Sequence, residues 1–76
     1  STISFYPNPL EHFLSVRSEV MIRAFTIFNM QGQIVLAGSP SSLNEFMIDV
    51  RQLQAGIYVL SLQYSENTWQ TKFLKK

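Results

Sequence analysis

Read as apolar and polar positions, the chain is a series of short alternating runs broken by turn residues. Ile3-Ser4-Phe5 is a brief β-prone run that stops at Tyr6-Pro7-Asn8-Pro9. Two prolines around one asparagine fix φ twice and remove two backbone donors. They also push Tyr6 and Asn8 towards extended conformations, so no helix crosses this segment. A second strand is expected at about 12–16, with Leu14 and Val16 on one face and Phe13 and Ser15 on the other. The third is expected to be the longest, at about 21–29. Met21, Phe25 and Ile27 share one of its faces, interrupted by Arg23, while Ile22, Ala24 and Phe28 share the other. Apolar residues on both faces imply a central strand covered on two sides, or a domain that expects a neighbour.

Asn29-Met30-Gln31-Gly32 reads as a tight turn in which Gly32 supplies a positive φ, and residues 33–37 return as the second arm of a hairpin. A Gly/Ser/Pro loop is expected over 38–42, a fifth strand over 46–49, and a bend over 50–56 pinned to the core by Val50 and Leu53. Residues 57–64 alternate cleanly, with Tyr58, Leu60, Leu62 and Tyr64 on one face. Ser65-Glu66-Asn67 turns the chain, and 68–74 forms a last strand with Trp69, Thr71 and Phe73 on one side. Short strands with turn signals every 8–12 residues or so predict an all-β domain, a small antiparallel β-sandwich of about six or seven strands. In Leu53-Gln54-Ala55-Gly56-Ile57-Tyr58 the tyrosine stands two residues before a core position, Leu60. That is the relation found at the tyrosine corner of immunoglobulin-like sandwiches, and the fold is expected to be of that kind. Phe25, Ile27, Leu60, Leu62 and Phe73 are expected in its core.

Length and composition narrow the role. Seventy-six residues make a single domain, 1–76, and at this size only roughly 60% of the unfolded surface is buried on folding, so each core residue counts. A hydrophobic content of 46% argues against disorder. With 14% charged residues and a net charge of +1, the chain has no field that points to nucleic acid or a membrane surface as a partner. No apolar run approaches the roughly 20 residues of a membrane helix, so no membrane insertion is expected. There is no cysteine, so stability rests on the core or on neighbouring domains rather than disulfides. Since the chain opens on Ser1 rather than Met, it is expected to be a piece of something longer.

No reactive constellation appears. One histidine, His12, and no cysteine exclude a Cys/His nucleophile pair and leave zinc at most one good ligand. Glu11, Glu19, Glu45, Asp49 and Glu66 are scattered over separate segments, and Gly32, Gly38 and Gly56 make no phosphate-binding pattern. No catalytic residue, metal ligand or cofactor is expected. Phe5, Tyr6, Tyr64 and Trp69 are rings that either fill the core or stack on sugars. A carbohydrate-binding or adhesive surface module is therefore the alternative reading.

Four motifs in fixed order carry a resemblance along essentially the whole chain. They are Tyr6-Pro7-Asn8-Pro9, then Ile27-Phe28-Asn29-Met30-Gln31-Gly32-Gln33-Ile34-Val35, then Leu53-Gln54-Ala55-Gly56-Ile57-Tyr58, and finally Lys72-Phe73-Leu74-Lys75-Lys76. In this order they resemble the C-terminal sorting domains of the type IX secretion system of Bacteroidetes-type bacteria. Asn29 stands where that family often has aspartate, which leaves the turn chemistry intact.

The resemblance implies a domain fused behind an N-terminal cargo and carried with it into the periplasm. An outer-membrane translocon and its shuttle proteins then address the fusion to the cell surface or medium. A sortase-like peptidase commonly removes the domain and attaches the cargo to the surface. The residues it singles out are Tyr6, Pro7, Asn8, Pro9, Gly32, Gly56, Tyr58, Lys72, Lys75 and Lys76. The lysines either discourage edge-to-edge aggregation or are read by the translocon, with strand addition to the last strand supplying main-chain hydrogen bonds.

Overall fold

A computed structural model describes residues 3–7, 12–40 and 44–76. Asn8 and Pro9 lie outside the described residues, as do Ser41 and Ser42 of the expected loop. The fold is a two-sheet antiparallel β-sandwich. Its strands are β1 (Ile3–Pro7), β2 (Phe13–Ser18), β3 (Ala24–Phe28), β4 (Ile34–Gly38), β5 (Glu45–Asp49), β6 (Gly56–Tyr64) and β7 (Asn67–Lys75). One sheet has the order β1-β2-β5 and the other β4-β3-β6-β7. Every neighbouring pair is antiparallel.

The period-2 alternation sets what is inside. Leu14 and Val16 of β2, Ile27 of β3, and Leu60 and Leu62 of β6 are the most completely buried side chains. Phe46 and Ile48 of β5 and Phe73 of β7 complete the facing layers, while Val50 and Leu53 pin the β5–β6 connection as expected. Rings lock the sheets together at both flanks. Phe25 of β3 stacks on Phe46 of β5 with centroids 6.2 Å apart, and Phe5 of β1 meets Trp69 of β7 edge-on at 5.9 Å. Such pairs add about 0.5–1.5 kcal/mol beyond the area they bury. Among the described residues no buried side-chain polar atom lacks a hydrogen-bond partner.

The third strand departs from its expected extent. It runs only over Ala24–Phe28, and the longest strands are β6 and β7, nine residues each. Residues 19–23 instead carry the chain from one sheet to the other. Ser18 Oγ accepts the Val20 N–H and donates to the Val20 carbonyl, while the Arg23 N–H donates to Gln63 O. Outside a pleated strand, alternation does not hold. Met21, expected beside Phe25 and Ile27 on the core face, is 56% exposed, and Ile22 is buried in its place.

The outer face of the three-stranded sheet neutralises its own charge. Arg17 of β2 pairs with Glu45 of β5 at 3.3 Å. Arg51 donates from Nη2 to Asp49 Oδ2 at 2.7 Å and from Nε to Oδ1 at 3.0 Å, and its guanidinium lies over the Phe13 ring. These hydrogen bonds hold the Asp49 carboxyl at about 2, below its ordinary 3.8. Exposed pairs of this kind contribute about 0–1 kcal/mol each, so they shape the surface more than they stabilise the fold.

Candidate functional site

Most of the residues singled out by sequence collect at one end of the sandwich. Its centre is the β5–β6 connection. Val50 N–H donates to His12 O at 3.0 Å and Leu53 N–H to Val50 O at 3.1 Å, which folds the segment into a turn with Leu53 buried beneath it. Gly56 then enters β6 at φ +156°, a backbone conformation that L side chains rarely adopt. A Cβ there would meet nothing closer than Tyr58 Cε2 at 3.9 Å, so glycine is required by the backbone and not by space.

Two neighbouring carbonyls of this connection are each held by a side chain. Tyr58 OH donates to Gln54 O at 2.7 Å, the hydrogen bond that defines a tyrosine corner. Lys75 Nζ donates to Leu53 O at 2.9 Å. Register brings them there: Gly56 pairs with Lys75 and Tyr58 with Phe73 across β6 and β7, and the Tyr58 and Phe73 rings stack at 5.8 Å. Leu53, Gly56, Tyr58 and Lys75 thus form one structural unit. Lys75 differs from the expectation of a freely reachable lysine, because its ammonium is engaged within the domain. The Lys72 and Lys76 side chains are exposed and make no ion pair among the described residues.

The β3–β4 turn sits beside this corner, and Asn29, Val35, Gln52, Leu53, Gln54 and Tyr58 line a depression of about 410 Å³ between them. Asn29 organises the turn. Its Oδ1 accepts the N–H groups of Gln31 at 3.0 Å and Gln33 at 2.9 Å, its own N–H donates to Gln33 O, and its Nδ2 donates to Gln33 Oε1. Asparagine therefore performs here the turn function for which aspartate also serves. Gly32 follows at φ +85°, with no atom within 4 Å of where a Cβ would lie. Alanine there meets backbone strain alone. Gly32→Ala should cost about 1–2 kcal/mol, lowering the melting temperature by roughly 4–8 °C per kcal/mol. An unchanged thermal melt would show that the turn does not need its positive φ.

Tyr6 and Pro7 end β1, opposite Ser15 and Leu14 of β2. As an edge strand of its sheet, β1 accommodates a proline that cannot donate to a ladder. Of the four rings considered for sugar stacking, Phe5, Tyr64 and Trp69 are half-buried and pack against the core, while the Tyr6 side chain lies outside what is described.

Two features escaped sequence reasoning. One is the bond from Lys75 to the corner, between residues 22 apart in the chain. The other is a group of exposed aliphatic side chains on the outer face of the four-stranded sheet, Ile34, Ile57 and Leu74. The latter left a signal, since Ile57 and Leu74 occupy the alternate positions of β6 and β7 where a solvated face calls for polar residues.

The sequence profile of a family described as "Secretion system C-terminal sorting domain" matches residues 4–76. No curated protein matches the chain.

Proposed function

Since the chain belongs to the secretion system C-terminal sorting domain family, we propose that it is the label by which a fused cargo is recognised at an outer-membrane type IX translocon and released outside the cell. The family's role is a C-terminal sorting signal for type IX secretion, which implies a secreted protein with its cargo fused to this domain. The observation that carries the finer reading is the match over residues 4–76, essentially the whole described fold.

In this reading the fusion crosses the periplasm, meets a shuttle protein and the translocon, and reaches the cell surface or medium. A sortase-like peptidase then separates the cargo from the domain and attaches it to the surface. The strand order and the bond from Tyr58 to Gln54 support an immunoglobulin-like classification of the sandwich. The candidate residues divide into two groups. Gly32, Gly56, Tyr58 and Lys75 act by holding the shape, a reading supported by the positive φ of the glycines and the internal bonds of the other two. Lys72 and Lys76 have exposed side chains and are the ones a partner reads. They lie on and just beyond β7, an edge strand of its sheet, so strand addition can supply main-chain bonds beside them. Sugar binding is not favoured, because Phe5 and Trp69 pack on each other.

Fusing residues 1–76 behind a periplasmic reporter tests the proposal. In a host with a working type IX system the reporter should accumulate outside the cell. A folded fusion that stays in the periplasm of that host would overturn it.

A further inference from the structure

The outer face of the β4-β3-β6-β7 sheet changes character halfway along its strands. At one end it is polar, with Thr26, Ser61 and Gln70 in register across β3, β6 and β7, Gln70 exposed, Thr26 half-buried and Ser61 buried. At the corner end it is apolar. Ile34 pairs with Phe28, Phe28 with Val59, and Ile57 with Leu74, so these five side chains form one patch on neighbouring strands. Ile34 is 63%, Leu74 53% and Ile57 51% exposed. Contiguous exposed apolar surface rimmed by polar residues marks an interaction site, whereas scattered single exposures do not.

Lys72 stands inside this patch, opposite Val59, and its side chain has no ion pair among the described residues. On the opposite face of the sandwich both arginines are matched by carboxylates. Lys72 thus places a positive charge without an ion pair within the exposed apolar surface. Two free lysines and a net charge of +1 are too little for a lipid surface, which takes a basic cluster of roughly four to eight residues. They suit a protein that offers aliphatic side chains with carboxylates beside them.

We infer that the apolar half of this sheet face, Phe28, Ile34, Ile57, Val59 and Leu74 around Lys72, is the docking surface for an acidic, aliphatic patch on a protein of the export machinery. The inference rests on the sorting reading and names the surface through which that reading operates. The partner's aliphatic groups cover Ile34, Ile57 and Leu74, and a carboxylate meets the Lys72 ammonium. Lys76, beyond the end of β7, extends the basic rim.

The test compares secretion of a fused reporter carrying the natural chain, the triple variant Ile34→Thr/Ile57→Thr/Leu74→Thr, the single variant Lys72→Glu, and Met47→Thr on the opposite face. Threonine keeps strand propensity at exposed positions, and thermal melting of each chain checks that it folds. The triple variant and Lys72→Glu should each lower secretion about tenfold with little change in melting, while Met47→Thr secretes normally. Lys72→Glu leaves every apolar contact in place, so it stays informative if the triple variant folds poorly. Normal secretion by a folded triple variant or by Lys72→Glu overturns the docking surface and leaves the sorting reading standing. A natural fusion that is not exported overturns both. Sedimentation of the natural chain as a dimer that the triple variant abolishes would assign the face to a second copy and overturn the proposal. Flotation of the chain with phosphatidylglycerol vesicles, lost in Lys72→Glu, would assign it to lipid and also overturn it.

Discussion

Tyr58→Ala should remove a large share of the chain's stability. The ring is buried, stacks on Phe73 at 5.8 Å, and carries the hydroxyl that holds the Gln54 carbonyl at 2.7 Å. Replacing a buried aromatic residue by alanine costs about 3–5 kcal/mol. At roughly 0.05–0.15 kcal/mol per residue, a chain of 76 residues has only about 4–11 kcal/mol in total. Tyr58→Phe separates the ring from its hydroxyl. It should cost about 0.5–1.5 kcal/mol, the net worth of one hydrogen bond. Chemical denaturation of both variants checks this pair of values. A folded Tyr58→Ala chain with a nearly unchanged midpoint would show that the corner is not what fixes the β5–β6 connection.

The second large effect concerns function and divides the three lysines. Lys72→Gln combined with Lys76→Gln should reduce export of a fused reporter at least tenfold, equivalent to about 1.4 kcal/mol of lost recognition. Both side chains are exposed, so stability should move by no more than about 0.5 kcal/mol. Lys75→Gln should behave in the opposite sense. It loses the bond to the Leu53 carbonyl at 2.9 Å, worth about 1 kcal/mol, and so melts earlier while its folded fraction exports normally. Thermal melting and secretion measured on the same fusions decide between them. Full export by the double glutamine variant would make Lys72 and Lys76 a solvated strand end.

How far the sequence could be read follows from how far each interaction reaches. The core face of β6 and β7 was legible because every second position on it is apolar or aromatic over most of its length, and Tyr58, Leu60, Leu62 and Phe73 lie buried where the pattern put them. The β3–β4 hairpin was legible because its chemistry is local, all within residues 29–33. Residues 21–23 misled for the complementary reason. Their apolar pattern continues that of β3, but the chain there crosses between sheets, held by bonds from Arg23 to Gln63 and Ser65 far along the sequence, and Ile22 rather than Met21 turns inward. Lys75 could not be distinguished from Lys72 and Lys76, because its partner Leu53 is brought to it by the pairing of β6 with β7. The apolar sheet face was half hidden: Ile57 and Leu74 stand out in the sequence, but not their neighbours across the sheet. Ile34, Phe28, Val59, Ile57 and Leu74 become neighbours only when three ladders settle into register.

The claim that the chain acts as an export label is tested most directly by the ratio of secreted to periplasmic reporter in two otherwise identical strains, one with and one without a functional type IX translocon, each expressing the reporter fused to residues 1–76. The reporter should be found mostly outside the first strain and almost wholly in the periplasm of the second. Equal ratios in the two strains would contradict it.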